Sequence, residues 1–404
     1  MSDDNITPSA ARSCSFHPRW FFAGLGVGLL LMAWLGHRAT KGDYHPRFTR
    51  FFPAISPEAN YYPTVDEMCA IVRARCRPDQ VLVIVGGNSV LQGVAQPAEV
   101  MWSVKLQEQL GDRYCVINFA LRGATPTDGG AVIAEVLRKE FPRQIYIANE
   151  KAVMGIFPLG NAVYRFIMWQ AYFGGRLLSD SRRNYWVRDE LLHPGDWADT
   201  PGIVGSAVLD RGLHFRDFWT RTAFERLNTV PSLFSPAPPE LFQPRSRFVD
   251  VEPDATDFSL ERRYLPSVRE IEMKILRATT DHSYEHSADG RWQMKPTTRA
   301  QLERHYREAF PESLRARTLL LIGRDSPFFR HALTAGELAR DEQGIRDTLA
   351  LLRGNGYAAA DYGRDFTIED YADRTHLAPS GGQKLAETVA PVVRAIAEKR
   401  GYLP

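Results

Sequence analysis

The sequence carries no excess of charge of one sign: 50 lysines and arginines face 48 aspartates and glutamates, leaving +2. Nothing electrostatic therefore points to nucleic acid as a partner. Cysteine is scarce as well. The four present, Cys14, Cys69, Cys76 and Cys115, are too few and too irregularly spaced for a disulfide framework or a zinc site. On one helix Cys69 and Cys76 would stand about 10 Å apart along the axis, beyond bridging range, so both are expected as free thiols. The sequence has no Walker loop, dinucleotide fingerprint or His-Glu-x-x-His segment, so neither a nucleotide cofactor nor a metal is implied. Internal repeats and low-complexity tracts are also lacking. What remains is an ordinary globular composition over 404 residues, enough for one large domain with insertions or for two domains.

The amino terminus departs from that average. After a polar tail over residues 1–19, Trp20 to Gly36 is an uninterrupted uncharged stretch with tryptophans near both ends, at the short limit of what spans a bilayer. It is read as a transmembrane signal anchor, because Gly36-His37-Arg38-Ala39-Thr40 is a poor cleavage site. Arg12 and Arg19 precede it, whereas Arg38, Lys41, Arg47 and Arg50 follow, a balance that by itself would keep the following domain cytoplasmic. Residues 37–63, rich in aromatics and prolines without helical period, read as a juxtamembrane linker, and the folded domain is expected from 64 to 404.

Within that domain, apolar runs alternate with helical patterns. Val81 to Val85 is a short continuous run ending in Gly86-Gly87, as expected of a strand buried on both faces. Tyr114 to Phe119, Gln144 to Ala148, Thr318 to Ile322 and Tyr357 to Tyr362 read as further strands. Helices are expected over Val65 to Arg77, Ala98 to Leu110, Thr127 to Phe141, Ala335 to Leu352 and Ser380 to Arg400. Such alternation predicts βαβ units, a central parallel sheet and a flavodoxin-like three-layer α/β/α sandwich with its site at the carboxyl ends of the strands. From about 153 to 298 the alternation stops. This large insertion carries Trp169, Trp186, Trp197 and Trp219 among other aromatics, which suit either a hydrophobic core or the apolar faces of sugar rings.

Two short motifs supply the elements of acyl-transfer chemistry. Gly87-Asn88-Ser89 and Gly93 follow the first strand, and Asp373-Arg374-Thr375-His376 precedes the last helix. A serine at a strand end, a histidine to take its proton and an aspartate to orient the imidazole are the parts of a Ser-His-Asp triad. Between them, Asn118 to Gly123 follows the second strand and Ile147-Ala148-Asn149-Glu150 closes the third.

Taken in order, these blocks resemble those of the SGNH (GDSL-like) hydrolase and acyltransferase superfamily, with Asn88 in place of the usual aspartate and the third block lacking its glycine. The resemblance covers about 80 to 150 and 318 to 400. It implies Ser89, His376 and Asp373 as the catalytic residues, and Ser89, Gly123 and Asn149 as the oxyanion hole, which stabilises developing charge. The anchor, Asn88 and the insertion resemble the membrane-anchored branch that modifies envelope polysaccharides. That implies an exported serine esterase or O-acyltransferase whose partners are the membrane, an envelope glycan or acyl carrier and a multispanning membrane O-acyltransferase. A catalytically weak binding or assembly protein of the same fold, and a plain carboxylesterase on small lipids, are the competing readings.

Overall fold

The computed structural model describes residues 18–39, 48–51, 54–56, 59–60, 65–152, 165–192 and 283–402, with scattered positions from 270 to 277. Five strands form the central sheet: β1 (Val81–Val85), β2 (Tyr114–Asn118), β3 (Gln144–Glu150), β4 (Thr318–Gly323) and β5 (Ala358–Tyr362). Their spatial order is β2-β1-β3-β4-β5 and every pairing is parallel. This is the expected doubly wound sheet, whose order reverses beside β1 and opens a crevice at the strand ends.

The period-2 alternation of strands sorts side chains into two layers. Leu82, Ile84, Tyr146, Ala148, Leu320 and Ile322 face one core. It is covered by α2 (Val65–Arg75), α5 (Gly130–Val136), α8 (Pro296–Ala309) and α9 (Ala335–Gly354). Val81, Val83, Val85, Ile145, Ile147, Leu319 and Leu321 face the other, covered by α3 (Ser89–Gln92), α4 (Trp102–Leu110) and α10 (Pro379–Lys399). The boundaries differ from expectation mainly at α4, which begins at Trp102 after a short 3-10 turn over Ala98–Val100, and at α5, which covers less than the expected Thr127 to Phe141.

Two expectations are corrected. Cys76 is not a free thiol: it bridges to Cys115 with Cα atoms 5.6 Å apart, whereas Cys69 stays free and buried. The partner lies 39 residues away in sequence, brought close because β2 pairs with β1 and α2 leads into β1. Second, the stretch expected as linker contributes to the core. Phe48 and Phe51 are 1% and 0% exposed, and both pack on Phe119, with Phe51 stacked at 5.7 Å. Trp20 to Gly36 falls within the 22-residue helix α1 (Pro18–Ala39); among the described residues no helix is long and apolar enough to cross a membrane.

Part of the insertion lies outside the described residues, Trp197 and Trp219 included. The described part adds α6 (Arg165–Phe173) and α7 (Arg182–Leu192) to the first layer. Trp169 is buried there and Trp186 packs against the same core, so these two indoles are core side chains rather than a sugar platform. Gln170 Oε1 accepts from Val65 N at 2.9 Å, satisfying an N–H that the first turn of α2 cannot pair internally.

Candidate active site

Glycine makes the turn out of β1 possible. Gly87 has φ +85, and a Cβ there would come within 2.5 Å of Asn149 Oδ1, so a side chain would meet both backbone strain and a collision. The chain then enters the one-turn helix α3 with Ser89 as its first residue. Asn88 is the N-cap: its Oδ1 accepts from Val90 N at 3.0 Å, the capping chemistry that asparagine supplies.

The second motif approaches from the far end of the sequence. Ser89 Oγ lies 2.7 Å from His376 Nε2 across 287 residues, and His376 Nδ1 lies 2.6 Å from Asp373 Oδ2. An ionised carboxylate only accepts hydrogen bonds, so Nδ1 must carry the proton of the neutral imidazole. Nε2 is then the lone-pair nitrogen and accepts from the serine hydroxyl. Burial pushes the Asp373 carboxyl up, but the hydrogen bond from His376 and the attraction of its imidazolium form, with the N–H groups of His376 and Thr375, hold it below its ordinary range. Those N–H groups donate to Asp373 Oδ1 at 2.7 and 2.8 Å. Asp373 is thus the fixed negative end of the relay.

The loop bearing the aspartate and histidine is fastened on two sides. Ala372 N donates to His376 O at 2.8 Å, closing the loop on itself, and Arg374 Nη1 donates to Asp325 Oδ1 at 2.7 Å, tying it to the segment after β4. Arg374 stood inside the quoted motif, but its partner 49 residues away carried no local signal.

The cavity beside Ser89 has a volume of about 320 Å³, within the range of small-molecule sites. Ser89, Gly123 and Asn149 all line it, so the expected oxyanion donors are brought together with the serine. Asn149 is the least free of them. Its Nδ2 donates to Asn88 Oδ1 at 2.9 Å, its Oδ1 accepts from Asn88 N at 3.2 Å, and it also hydrogen-bonds Tyr362. The Asn149 amide thus donates to the side chain and accepts from the backbone of Asn88, which fixes the Gly87-Asn88 turn. Asn118 plays a similar structural part: buried, it donates to Leu91 O at 2.9 Å and accepts from Ala120 N at 3.0 Å.

The other wall of the cavity is polar, with Glu150, Lys151, Arg324, Asp325 and Asp341. Arg324 is pinned by Asp361 at 2.9 Å and by Glu342. Glu150, at the end of β3, was not singled out as a functional residue. Burial pushes its carboxyl from 4.5 up to about 8, only partly offset by Lys151. Between those values the native state keeps a proton that the unfolded chain has released, so stability falls as pH rises from 4.5 towards about 8 and then levels. Glu150→Gln removes that slope. Thermal melts should show the variant more stable than the parent at pH 8 and matched to it at pH 4.5; parallel curves at both would contradict a proton held on Glu150.

Among the described residues, no cluster of three or more histidines, cysteines or acids is placed to hold a metal. No family model matches the chain. No curated protein matches it either. Among solved structures it is similar to an aryl esterase of M. smegmatis, at 14% identity over 78% of this chain and 99% of that one, with a TM-score of 0.30. It is also similar to a carbohydrate acetylesterase family member from Sinorhizobium meliloti, at 14% identity over 78% and 98%, with a TM-score of 0.29. At such identity and score neither likeness assigns an activity to this chain.

Proposed function

We propose that the chain is a serine esterase or O-acyltransferase in which Ser89 is the nucleophile, His376 the general base and Asp373 the carboxylate that orients it. The observation that carries this reading is the unbroken relay of 2.7 and 2.6 Å from Ser89 to Asp373. Ser89 Oγ attacks the ester carbonyl while its proton passes to His376 Nε2. The carbonyl oxygen becomes an oxyanion, stabilised by the N–H groups of Ser89 and Gly123 at the cavity wall. Collapse expels the alcohol, which takes the proton from His376 and leaves an acyl-Ser89. Water, or an acceptor hydroxyl, then gives its proton to His376 and attacks the acyl carbonyl, releasing acid or a new ester and restoring Ser89.

The substrate is proposed as an acylated envelope glycan. The polar wall of Glu150, Asp325 and Asp341 suits hydroxyl groups better than a long acyl chain, which argues against the small-lipid esterase. The domain is proposed to lie on the exported side, held by α1. Two observations support that placement: the Cys76–Cys115 bridge, a feature of oxidising compartments, and the exposed apolar side chains Trp20, Phe22, Leu25, Val27, Leu30 and Leu31 on α1. A carboxy-terminal reporter tests it, since activity seen only when the reporter is one that works in the cytoplasm would overturn export. A second reading, a glycan- or acyl-carrier-binding partner of a membrane O-acyltransferase without turnover, is favoured by one observation, the engaged amide of Asn149. Hydrolysis of nitrophenyl acetate separates the two. Turnover by the parent that disappears in Ser89→Ala supports the enzyme, and equal rates in both proteins contradict it.

A further inference from the structure

Arg50 belongs neither to the triad nor to the cavity lining, yet it is 3% exposed and its guanidinium is directed at one short stretch of backbone. Nη1 donates to Gln92 O at 3.2 Å and to Gly93 O, and Nη2 donates to Gln96 O at 2.9 Å. The strap that carries Arg50 is held in return, because Gln92 Nε2 donates to Phe51 O at 2.7 Å. These carbonyls belong to the end of α3 and the loop after it, where a helix runs out of internal donors for its acceptors; Gly93 O also accepts from Gln96 N at 3.0 Å. A planar fork of donors matches them better than a point charge does.

The gripped loop is one that needs holding. Gly93 has φ +81, and Ala95, at φ 70, is the only non-glycine residue with positive φ among the described residues. A residue with a Cβ adopts that conformation only when its surroundings impose it. The loop also reaches the other half of the triad. Gln96 is fully buried; its Oε1 accepts from Trp102 N at 2.8 Å and its Nε2 donates to Leu377 O at 3.1 Å. Leu377 directly follows His376. A chain of hydrogen bonds thus runs from Arg50 through Gln96 to the residue next to the base, while Ser89 starts the single helical turn whose other end Arg50 grips.

We infer that Arg50 is a positioning residue, which sets the separation of Ser89 from His376 by fixing the Gln92–Gln96 loop between them. The inference rests on the esterase reading above. Its effect should fall on the chemical step, because Arg50 does not line the cavity, and misplacing reacting groups by about 1 Å costs on the order of a hundredfold in rate.

The test is kcat and KM for nitrophenyl acetate, measured on the full chain in detergent for the parent, Arg50→Ala, Arg50→Lys and Leu352→Ala, each with a melting curve. Leu352, buried in the core near the end of α9, serves as a destabilised control outside the network. Arg50→Ala should lose roughly ten- to a hundredfold in kcat with KM little changed. Arg50→Lys should lie between, and free guanidinium ion below denaturing concentrations should restore part of the Arg50→Ala rate. Leu352→Ala should melt earlier and keep its kcat. An unchanged kcat in Arg50→Ala overturns the inference, as does a loss matched by Leu352→Ala and untouched by guanidinium. Should Arg50→Ala not fold, the kcat of Arg50→Lys decides on the same terms. A parent protein without turnover overturns the esterase reading itself, and the inference with it.

Discussion

Ser89→Ala is expected to leave no detectable ester turnover, and Asp373→Asn to lower kcat by about 10⁴-fold, the loss a triad suffers when its histidine takes the wrong tautomer. The geometry argues for both. Asp373 is the acceptor that keeps the proton on His376 Nδ1, at 2.6 Å. An asparagine there offers an NH2 group, which is satisfied by an unprotonated Nδ1; the proton then moves to Nε2, which can no longer accept from Ser89. Both variants should melt close to the parent, since Ser89→Ala removes one hydroxyl and the Asp373 side chain is 34% exposed. Steady-state kinetics on nitrophenyl acetate check the pair. Near-parental kcat in Asp373→Asn would mean that the relay does not operate as drawn.

The largest expected effect on stability concerns Glu135 and Arg183, which join α5 to α7. Their side chains are 0% and 1% exposed and meet at 2.7 Å; Arg183 also donates to Thr127 O at 3.0 Å, and Glu135 accepts from Leu178 N at 2.8 Å. Removing one partner of a buried pair strands the other charge and costs about 3–5 kcal/mol. Glu135→Ala should therefore lower the urea midpoint of the full chain sharply. Replacing both residues by apolar ones of similar size, Glu135→Leu with Arg183→Met, should recover much of that loss, because the desolvation penalty of both charges is removed together. A Glu135→Ala midpoint within error of the parent would show that the pair is not buried as described.

What was legible in the sequence was local. Val81 to Val85 is apolar at every position because both faces of β1 are buried, and that run located the first strand and the serine after it. Asp373 and His376 were readable because three residues separate them and a helix follows at Pro379. The pairing of those two blocks came from the resemblance, and the structure brings them to hydrogen-bonding distance. Features set by contacts between distant segments were not legible. Cys76 finds Cys115 only once α2 and β2 are laid beside β1. Phe48 and Phe51 carry no period, so nothing in the sequence distinguished a strap on Phe119 from a linker. Arg50 counted as one flanking charge among several; its role depends on carbonyls more than forty residues away. The resemblance implied Asn149 as an oxyanion donor, from the block that closes the third strand, but its amide is engaged by an asparagine 61 residues earlier.

The most direct test of the central claim is reaction of the detergent-solubilised full chain with a fluorophosphonate probe, followed by peptide mapping. A serine whose proton is drawn off by His376 should be phosphonylated at Ser89, with labelling lost in Ser89→Ala and at least about a hundredfold slower in His376→Ala, the typical contribution of a general base. Labelling that is absent from the parent, or that maps elsewhere and persists in Ser89→Ala, would contradict a nucleophilic Ser89.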